Sequence, residues 1–296
     1  MKGGEGEDPR KRKGEVGPEP PFFVMSRDSS RLTYLLLPAG IFFGAFFLLP
    51  LAQLFHIGLT GKAGWGAYTA ILTDRNYFSS LISTLGLAAI TTLVTLIVSG
   101  LAGVFLQRNR FPGNGALVAM LTFPLAFPGV VIGFMVIMLA GRQGLIGDIS
   151  RFLTGDKIVF AYSMAGLFMG YVYFSIPRTI LTVMAAAEKL DPRLEEAARS
   201  LGASTWHVAV DVIIPGLKPA FISAGAICFA TAMGAFGTAF TLATRINVLP
   251  MVIYTEFTLE ANIAMAAALS FVLGAVTWVV LAVARTAAGS TVAAAG

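Results

Sequence analysis

Six separate runs of apolar residues, each long enough to cross a lipid bilayer, constrain this chain more than any other feature of its sequence. A helix that crosses the hydrocarbon core of a membrane needs about 20 mostly apolar residues. Backbone N–H and C=O groups find no water there, so such runs satisfy their hydrogen bonds internally as helices. We therefore predict an all-α, polytopic membrane protein with six transmembrane helices. The runs cover residues 32–55, 78–106, 116–140, 158–184, 220–243 and 263–284.

The composition agrees with a protein whose surface faces lipid. Hydrophobic residues make up 56% of the chain and charged residues 12%, whereas soluble domains have about 45–50% and about 25%. The net charge of +5 comes from basic residues scattered around the apolar runs, which does not favour a nucleic-acid partner. One cysteine, Cys228, excludes a disulfide framework, and two distant histidines, His56 and His207, do not suggest a metal cluster. No metal site is predicted.

Basic residues outside the runs set the orientation of the predicted helices. Lys and Arg are more frequent on the side that receives the N-terminus, and such an excess marks the cytoplasmic side. We therefore expect both termini to be cytoplasmic. Residues 1–31, rich in Gly, Pro, Glu and Lys, are predicted to form a disordered cytoplasmic tail. Residues 32–285 form the transmembrane domain, and residues 286–296 a short cytoplasmic tail.

A polar segment at about 186–219, between the fourth and fifth runs, is predicted to form a hairpin of two short helices on the cytoplasmic face. Asp191, followed by a proline, is a typical helix start because its side chain can accept hydrogen bonds from free amides. Gly202 is expected to end this helix in a left-handed conformation, and Ser204 to cap a second helix. Pro215 and the proline four residues later are expected to separate that second helix from the fifth transmembrane helix.

Prolines inside two of the apolar runs predict local distortions. Pro124 and Pro128 lie in the third run, where such residues either mark a break that lines a cavity or act as simple kinks. Pro177 is expected to bend or end the embedded part of the fourth helix. Apart from Arg178, near the cytoplasmic end of the fourth run, no charged residue lies deep within a run, so a proton relay has no candidate.

The hairpin resembles the signature of the inner-membrane permease subunits of binding-protein-dependent ATP-binding-cassette importers. That signature is E-A-A, three residues, Gly, nine residues, and then an aliphatic-x-aliphatic-Pro ending. Here Glu196-Ala197-Ala198 is followed by three residues and Gly202, and nine further residues lead to Val212-Ile213-Ile214-Pro215. The family more often has Ile at the position of Val212 and Leu at that of Ile214, and both departures are conservative. Six runs in the expected order extend the resemblance to most of the chain.

The resemblance implies a division of labour between chains. The hairpin would be a coupling helix seated on a dimer of cytoplasmic ATPases, which use ATP and Mg. This chain has no G-x-x-x-x-G-K-[ST] loop, so it would bind no cofactor and would not be an enzyme. A second homologous permease, with a heterodimer favoured, and an extracytoplasmic solute-binding protein would complete the importer in a bacterial inner membrane. The residues implied in ATPase coupling are Glu195, Glu196, Ala197, Ala198, Gly202, Ala203 and Pro215.

The substrate is less constrained by the sequence. The stretches "GAFG" at 234–237 and "PMVIY" at 250–254 are similar to those in importers of spermidine/putrescine, ferric iron, sulfate and thiamine. We expect a polyamine such as spermidine or putrescine, with ferric iron, sulfate, thiamine or phosphonate-type solutes as alternatives. Aromatic faces attract cations, although packing or lipid contact is an open alternative for any single ring. The candidate rings along the path are Phe127, Tyr171, Tyr173 and Phe236.

Two other classes of protein have less support from the residues. A self-sufficient secondary transporter would need an internal repeat or embedded ion-coupling groups, and neither is visible in the sequence. A membrane-embedded enzyme would need a nucleophile with an adjacent base, and no such pair is evident.

Overall fold

The computed structural model describes residues 29–242 and 246–288, and every regular element within these ranges is helical. The all-α fold class predicted from the sequence is therefore confirmed. The chain forms two compact units that divide between Pro50 and Leu51. Most of the predicted N-terminal tail and most of the predicted C-terminal tail lie outside the described residues.

The described part of the first unit is helical. Helix α1 (Ser29–Phe43) continues through a π-helical turn (Gly44–Leu48) into α2 (Leu49–Thr60), whose first two residues belong to this unit. The π turn ends shortly before Pro50. In a regular α-helix the proline ring would clash with the carbonyl four residues earlier, and a wider turn gives it room.

The second unit contains the remaining helices. Three of them, α3, α7 and α13, have no counterpart among the predicted runs or in the predicted hairpin because they are only 8 to 10 residues long. The elements in chain order are α3 (Gly66–Thr73), α4 (Arg75–Arg108), α5 (Asn114–Thr122) with a 3-10 turn (Phe123–Ala126), α6 (Gly129–Ala140), α7 (Leu145–Thr154), α8 (Met164–Lys189), α9 (Pro192–Ser200), α10 (Thr205–Val208) with a π turn (Ala209–Ile213), α11 (Ile214–Met233), α12 (Phe236–Leu242), α13 (Leu249–Thr258) and α14 (Ile263–Ala288).

Six helical stretches in the described ranges are long and apolar enough to cross a membrane, which agrees with the predicted number. Four of them overlap the predicted runs closely. The third is displaced toward the C-terminus and includes the turn between α6 and α7, and the fifth is displaced toward the N-terminus and includes α10. The stretches are Leu36–Thr60, Arg75–Arg108, Gly129–Thr154, Met164–Lys189, Thr205–Met233 and Ile263–Ala287.

The third predicted run is two helices rather than one. The prediction placed a continuous helix over 116–140, whereas α5 and its 3-10 turn end at Ala126 and α6 begins at Gly129. Phe127 and Pro128 between them are extended, with ψ angles of 136° and 151°. Pro128 has no N–H to donate and disfavours the α conformation in the residue before it. The run therefore breaks at this point instead of merely kinking.

The fourth helix, by contrast, is not ended by its proline. Helix α8 passes through Pro177 and continues to Lys189. Pro177 is buried, and packing on this face of the helix offsets the one backbone hydrogen bond that a proline removes. Arg178, predicted near the cytoplasmic end of a shorter helix, consequently lies close to the middle of α8.

The predicted separation between the hairpin and the fifth transmembrane helix is wrong. The helical stretch from Thr205 to Met233 is continuous, and Pro215 and Pro219 lie within it. The π turn at Ala209–Ile213 again ends just before a proline, and its wider spacing accommodates Pro215. The second helix of the hairpin is therefore the first part of the fifth transmembrane helix.

Helices α4 and α8 pack closely at the centre of the second unit. Small and hydroxyl-bearing residues on α4, including the buried Thr95 and Ser99, face inward and permit this approach. A methyl group built on Gly103 would lie 3.0 Å from the side chain of Val183, so the two helices meet with no space for a larger residue. The Ser99 hydroxyl donates to the carbonyl of Ile176 across the same interface, at 3.3 Å.

Candidate coupling surface and substrate recess

The first helix of the hairpin begins as the sequence predicts. Asp191 adopts an extended conformation, and its Oδ1 accepts a hydrogen bond from the Arg193 amide at 3.0 Å. Pro192 occupies the first position of α9, where no amide donor is needed. Glu195 lies in the first turn of α9, where a negative charge is favourable because the helix dipole is positive there.

Gly202 ends α9 in the left-handed conformation, with φ +86°. Its amide donates to the carbonyl of Arg199, and the Ala203 amide donates to the carbonyl of Ala198, each at 3.0 Å. This pair of bonds is the Schellman motif, which satisfies carbonyls at a helix end. A Cβ built on Gly202 would meet no atom within 4 Å. Backbone conformation, and not lack of space, therefore requires glycine at this position.

Ser204 caps the next helix, also as predicted. Its Oγ accepts a hydrogen bond from the His207 amide at 3.4 Å and lies 2.8 Å from Nδ1 of the His207 ring. Helix α10 then runs through the π turn into α11 without interruption. The corner between α9 and α10 is therefore directly continuous with a helix that is long and apolar enough to cross a membrane.

An ion pair holds the hairpin against the end of α4. A guanidinium nitrogen of Arg108 lies 2.6 Å from a carboxylate oxygen of Glu195, and both side chains are largely shielded from solvent. The same nitrogen donates to the carbonyl of Leu190 at 3.2 Å, at the corner between α8 and α9. Sequence reasoning missed this contact because its partners are far apart in the chain. Glu195, predicted to face the ATPase, is thus engaged within its own chain.

The remaining predicted coupling residues lie together on the outside of the hairpin. Glu196, Ala197 and Pro215 are exposed, and Ala198 and Ala203 are half-buried. Exposed apolar side chains accompany them: Leu194 at 53%, Leu201 at 89% and Trp206 at 73% exposure. Exposed Trp and Leu beside small alanines form a surface on which another protein can bury apolar area. The predicted motif did not include Leu201 or Trp206, although both are evident as large apolar residues in a polar segment.

A second site forms where two helix breaks meet, each at the end of a stretch that is long and apolar enough to cross a membrane. One break is the extended pair before α6, and the other lies at Gly234 and Ala235, between α11 and α12. The hydroxyl of Thr238 donates to the carbonyl of Gly129 at 3.0 Å and so joins the two breaks. Interrupted helices at membrane depth are tolerated where they line a cavity, because the freed backbone groups then have partners.

A recess of about 290 Å³ opens at these breaks. Tyr171 and Phe236, two of the four predicted pathway rings, line it, whereas Phe127 and Tyr173 do not. The Tyr171 hydroxyl donates to the carbonyl of Ala235 at 2.7 Å, which satisfies a backbone group freed by the second break. The lining residues are Gly129, Val130, Tyr171, Phe174, Ser175, Thr231, Ala232, Gly234, Ala235, Phe236, Gly237 and Thr238.

A small groove between α8 and α11 adjoins this recess. Ser175 and Thr231 line both spaces. Arg178 lines the groove, and its Nη1 lies 3.4 Å from the hydroxyl of Thr231. Cys228, a buried free thiol, also lines it. Within the described ranges, no group of three or more His, Cys, Asp or Glu side chains could hold a metal ion.

Comparison with known sequences finds a matching family and named relatives. Residues 99–289 match the family described as the binding-protein-dependent transport system inner membrane component. The molybdenum transport system permease protein ModB of Escherichia coli K12 is 32% identical over 189 residues, which cover 62% of this chain and 81% of that protein. The sulfate transport system permease protein CysT of the same strain is 29% identical over 226 residues, which cover 76% of each chain.

Solved structures share the architecture. A chain from a bacterial ABC transporter involved in the import of the acidic polysaccharide alginate has a TM-score of 0.75 at 17% identity, covering 88% of this chain and 95% of that one. A chain of the MetNI methionine ABC transporter, in an inward-facing conformation, has a TM-score of 0.55 at 14% identity, covering 71% and 94%. At these identities the likeness concerns the fold and not the substrate.

Proposed function

Because the chain belongs to the family of inner membrane components of binding-protein-dependent transport systems, we propose that it forms the membrane path for a tetrahedral oxyanion, such as molybdate or sulfate. Its role as a permease subunit of an ABC importer follows from the family, and in that family ATP is hydrolysed by a partner chain. The chain is accordingly a multi-pass protein of the inner membrane.

The proposal for the substrate rests on the named relatives. The relatives reported above are permease proteins for molybdenum and for sulfate. In neutral water, hexavalent molybdenum and hexavalent sulfur both form doubly charged tetrahedral oxyanions. One path can therefore suit either solute, and the external binding protein would select between them. Sulfate was among the alternatives predicted from the sequence.

The expectation of a polyamine is not supported. A polyamine carries several positive charges, and a path for it would offer carboxylates or aromatic faces. No Asp or Glu is among the residues that line the recess. Two of the four aromatic rings predicted to guide an organic cation also lie outside it. The recess is lined by three aromatic rings, Tyr171, Phe174 and Phe236, together with glycines and hydroxyl groups, and none of its lining side chains is charged. A polyamine is therefore disfavoured by the absence of a carboxylate in this lining and by the named relatives.

The hairpin is the proposed contact with the ATPase. Glu196, Ala197, Ala198, Gly202 and Ala203 lie on one accessible corner, next to the exposed Leu201 and Trp206. The low profile of the alanines would let a groove of the partner approach the backbone closely. Because α10 is continuous with α11, movement of this corner would be transmitted along the helix toward the break at Gly234. Pro215 would act within that helix, at its π turn, and not as a separator.

The proposed assembly contains two permeases, a dimer of ATPases and an extracytoplasmic binding protein. The second permease is either another copy of this chain or a homologue, and the preferred heterodimer remains a prediction. Both termini and the hairpin are placed in the cytoplasm, consistent with the distribution of Lys and Arg in the sequence.

Transport by the reconstituted importer tests this proposal. The chain would be purified with the ATPase and the permease that accompany it, placed in lipid vesicles, and supplied with its binding protein and ATP. Uptake of radiolabelled molybdate, sulfate and spermidine would be measured in parallel. We expect accumulation of molybdate or sulfate that requires both ATP and the binding protein, and no accumulation of spermidine.

Two outcomes would contradict the proposal in different ways. If the importer took up spermidine but neither molybdate nor sulfate, the polyamine prediction would be supported instead. Uptake of any of these solutes by the chain alone, without ATP, would indicate a self-sufficient carrier. Variants of the hairpin, described in the Discussion, then separate loss of ATPase coupling from loss of the substrate path.

A further inference from the structure

Arg178 places a positive charge in the middle of a membrane-crossing helix. It lies on α8 (Met164–Lys189), roughly 16 Å from the C-terminal end of this helix at a rise of 1.5 Å per residue. Long basic side chains can reach the membrane surface when they lie near a helix end. Arg178 lies near the middle of the stretch Met164–Lys189, which is long and apolar enough to cross a membrane.

Among the described residues, no carboxylate forms an ion pair with this guanidinium. Its Nη1 donates to the Thr231 hydroxyl at 3.4 Å, and its centre lies 5.6 Å from the centre of the Phe174 ring. No carboxylate lies within 4.0 Å of Arg178 in the part of the chain that the structure describes. Charged groups within membrane spans face water-filled space or a partner, because exposure to lipid is costly. This exposed side chain is therefore expected to face water-filled space or the second permease, and not lipid.

The groove that holds Arg178 adjoins the recess at the helix breaks. Ser175 and Thr231 line both spaces, so Arg178 is the charged side chain of α8 nearest to the recess. A guanidinium has five N–H donors in a planar fork that matches two oxygens of an oxyanion. One donor is directed to Thr231, which leaves the others for a ligand.

We propose that Arg178 is an anion-binding residue of the transport path, a transient site for a doubly charged tetrahedral oxyanion between the recess and the cytoplasm. This inference rests on the proposed function and names the residue that would bind the transported anion. A single guanidinium with hydroxyl neighbours attracts the anion without enclosing it, and weak sites of this kind allow a solute to leave again. The nearby hydroxyls of Thr179 and Thr182 already donate to carbonyls of α8, at 3.0 Å each. Arg178 is therefore the principal donor.

The test measures oxyanion uptake and ATP hydrolysis together in the reconstituted importer with its binding protein. Three variants are compared with the unmodified chain. Arg178→Gln removes the charge, Arg178→Lys keeps the charge without the planar fork, and Arg142→Gln removes a charge from the exposed turn between α6 and α7. Radiolabelled molybdate and sulfate are the probes. Recovery of the ATPase with each variant checks assembly.

We expect Arg178→Gln to lower the oxyanion transported per ATP by about 10-fold or more, as expected for loss of a hydrogen bond to a charged group. Arg178→Lys should give an intermediate value, and Arg142→Gln should equal the unmodified chain. ATP hydrolysis stimulated by the binding protein should persist in Arg178→Gln, whereas a general structural defect would lower it together with uptake.

Each remaining outcome overturns the inference. If the unmodified importer carries an oxyanion and Arg178→Gln carries it equally well, the residue has no part in the path while the proposed function stands. If Arg142→Gln lowered the oxyanion transported per ATP as much as Arg178→Gln, the effect would come from the net charge of the chain and not from a site at Arg178. If the unmodified importer carries neither molybdate nor sulfate, the proposed function itself fails and the inference falls with it.

Discussion

The guanidinium of Arg108, at the last residue of α4, contacts the carboxylate of Glu195 on α9 at 2.6 Å. The two side chains are only 21% and 14% exposed. The pair connects α4, a membrane-crossing helix, to the hairpin, which is joined through the backbone to α8 and α11. Because Arg108 also bonds the carbonyl of Leu190, it fixes both the corner before α9 and the first turn of α9.

Breaking this ion pair should weaken coupling more than it weakens the fold. Removal of one partner leaves the other charge shielded and unpaired, at a cost on the order of 1–3 kcal/mol, between the values for exposed and buried pairs. We expect Glu195→Gln and Arg108→Gln each to reduce uptake severalfold and to lower the thermal unfolding midpoint modestly. The exchange of both charges, Arg108→Glu with Glu195→Arg, should recover part of the uptake.

The comparison of the three variants distinguishes an ion pair from an ATPase contact. If the carboxylate of Glu195 contacted the ATPase and not the side chain of Arg108, the charge exchange would reduce uptake at least as much as either single change. The amount of ATPase that copurifies with each variant provides the measurement. Glu196→Gln, which alters an exposed neighbour, serves as the matched comparison.

Gly202 should tolerate residues according to their ability to adopt a positive φ. A non-glycine residue in the left-handed conformation costs roughly 1–2 kcal/mol, more when it is β-branched and less when it is Asn. We expect Gly202→Val to abolish uptake and Gly202→Asn to retain most of it, with normal membrane insertion in both cases. Opening of the Schellman motif in the Val variant would change the angle between α9 and α10.

Gly113 offers a matched control for this effect. It has φ +92°, and a Cβ built there meets no atom within 4 Å, so Gly113→Val carries the same backbone strain in another turn. Uptake in Gly113→Val should fall much less than in Gly202→Val. Equal loss in both would indicate that general destabilisation, and not the geometry of the hairpin, limits transport.

The features predicted correctly from the sequence depend on neighbours within a few residues. The caps at Asp191 and Ser204 and the left-handed Gly202 each follow from local backbone chemistry, and the structure has all three. The ion pair of Arg108 with Glu195 and the hydrogen bond of Tyr171 to Ala235 join distant segments, so only the folded chain reveals them.

The prolines behave differently from one helix to another. The proline rules predicted a separation at Pro215 and either a bend or an end at Pro177, yet a π turn in one case and buried packing in the other keep the helix continuous. Pro128 does break its helix, because no such turn or packing compensates there. The substrate was misjudged for a different reason, since the "GAFG" stretch is similar in importers of chemically opposite solutes.

The crossing of α6 and α12 should be intolerant of any added side chain. A methyl group on Gly133 would collide with the hydroxyl of Thr241 and lie 2.7 Å from its Cβ. We expect Gly133→Ala to destabilise the protein by about 1–3 kcal/mol, the range for overpacking a core, and to reduce uptake. Gly86→Ala is the control, because a methyl group there meets nothing within 4 Å and alanine favours a helix. Thermal unfolding in detergent should show a lower midpoint for the first variant only.

Trp206 should contribute to binding of the ATPase. Its side chain is 73% exposed on the hairpin, and Trp residues at interfaces often contribute 2 kcal/mol or more, about a 30-fold change in affinity. Trp206→Ala should therefore release the ATPase during purification and lower ATP-driven uptake. Trp278→Ala removes an equally exposed ring, 69%, from α14 and should leave ATPase recovery unchanged. Full recovery of the ATPase with Trp206→Ala would place the docking contact elsewhere.

The hydroxyl of Tyr171 should maintain the break between α11 and α12. It donates to the Ala235 carbonyl at 2.7 Å, while the ring itself lines the recess. Tyr171→Phe keeps the ring and leaves a shielded carbonyl without its donor, which costs about 1–3 kcal/mol. We expect the variant to fold and bind the ATPase but to transport several times more slowly, because the break is no longer held open in one arrangement.

Tyr173→Phe makes the same chemical change at a 41% exposed ring outside the recess and should transport normally. Equal rates for the two variants would show that the hydrogen bond has no part in shaping the path. Loss of ATPase binding in Tyr171→Phe would show that the effect extends beyond the recess to the whole fold.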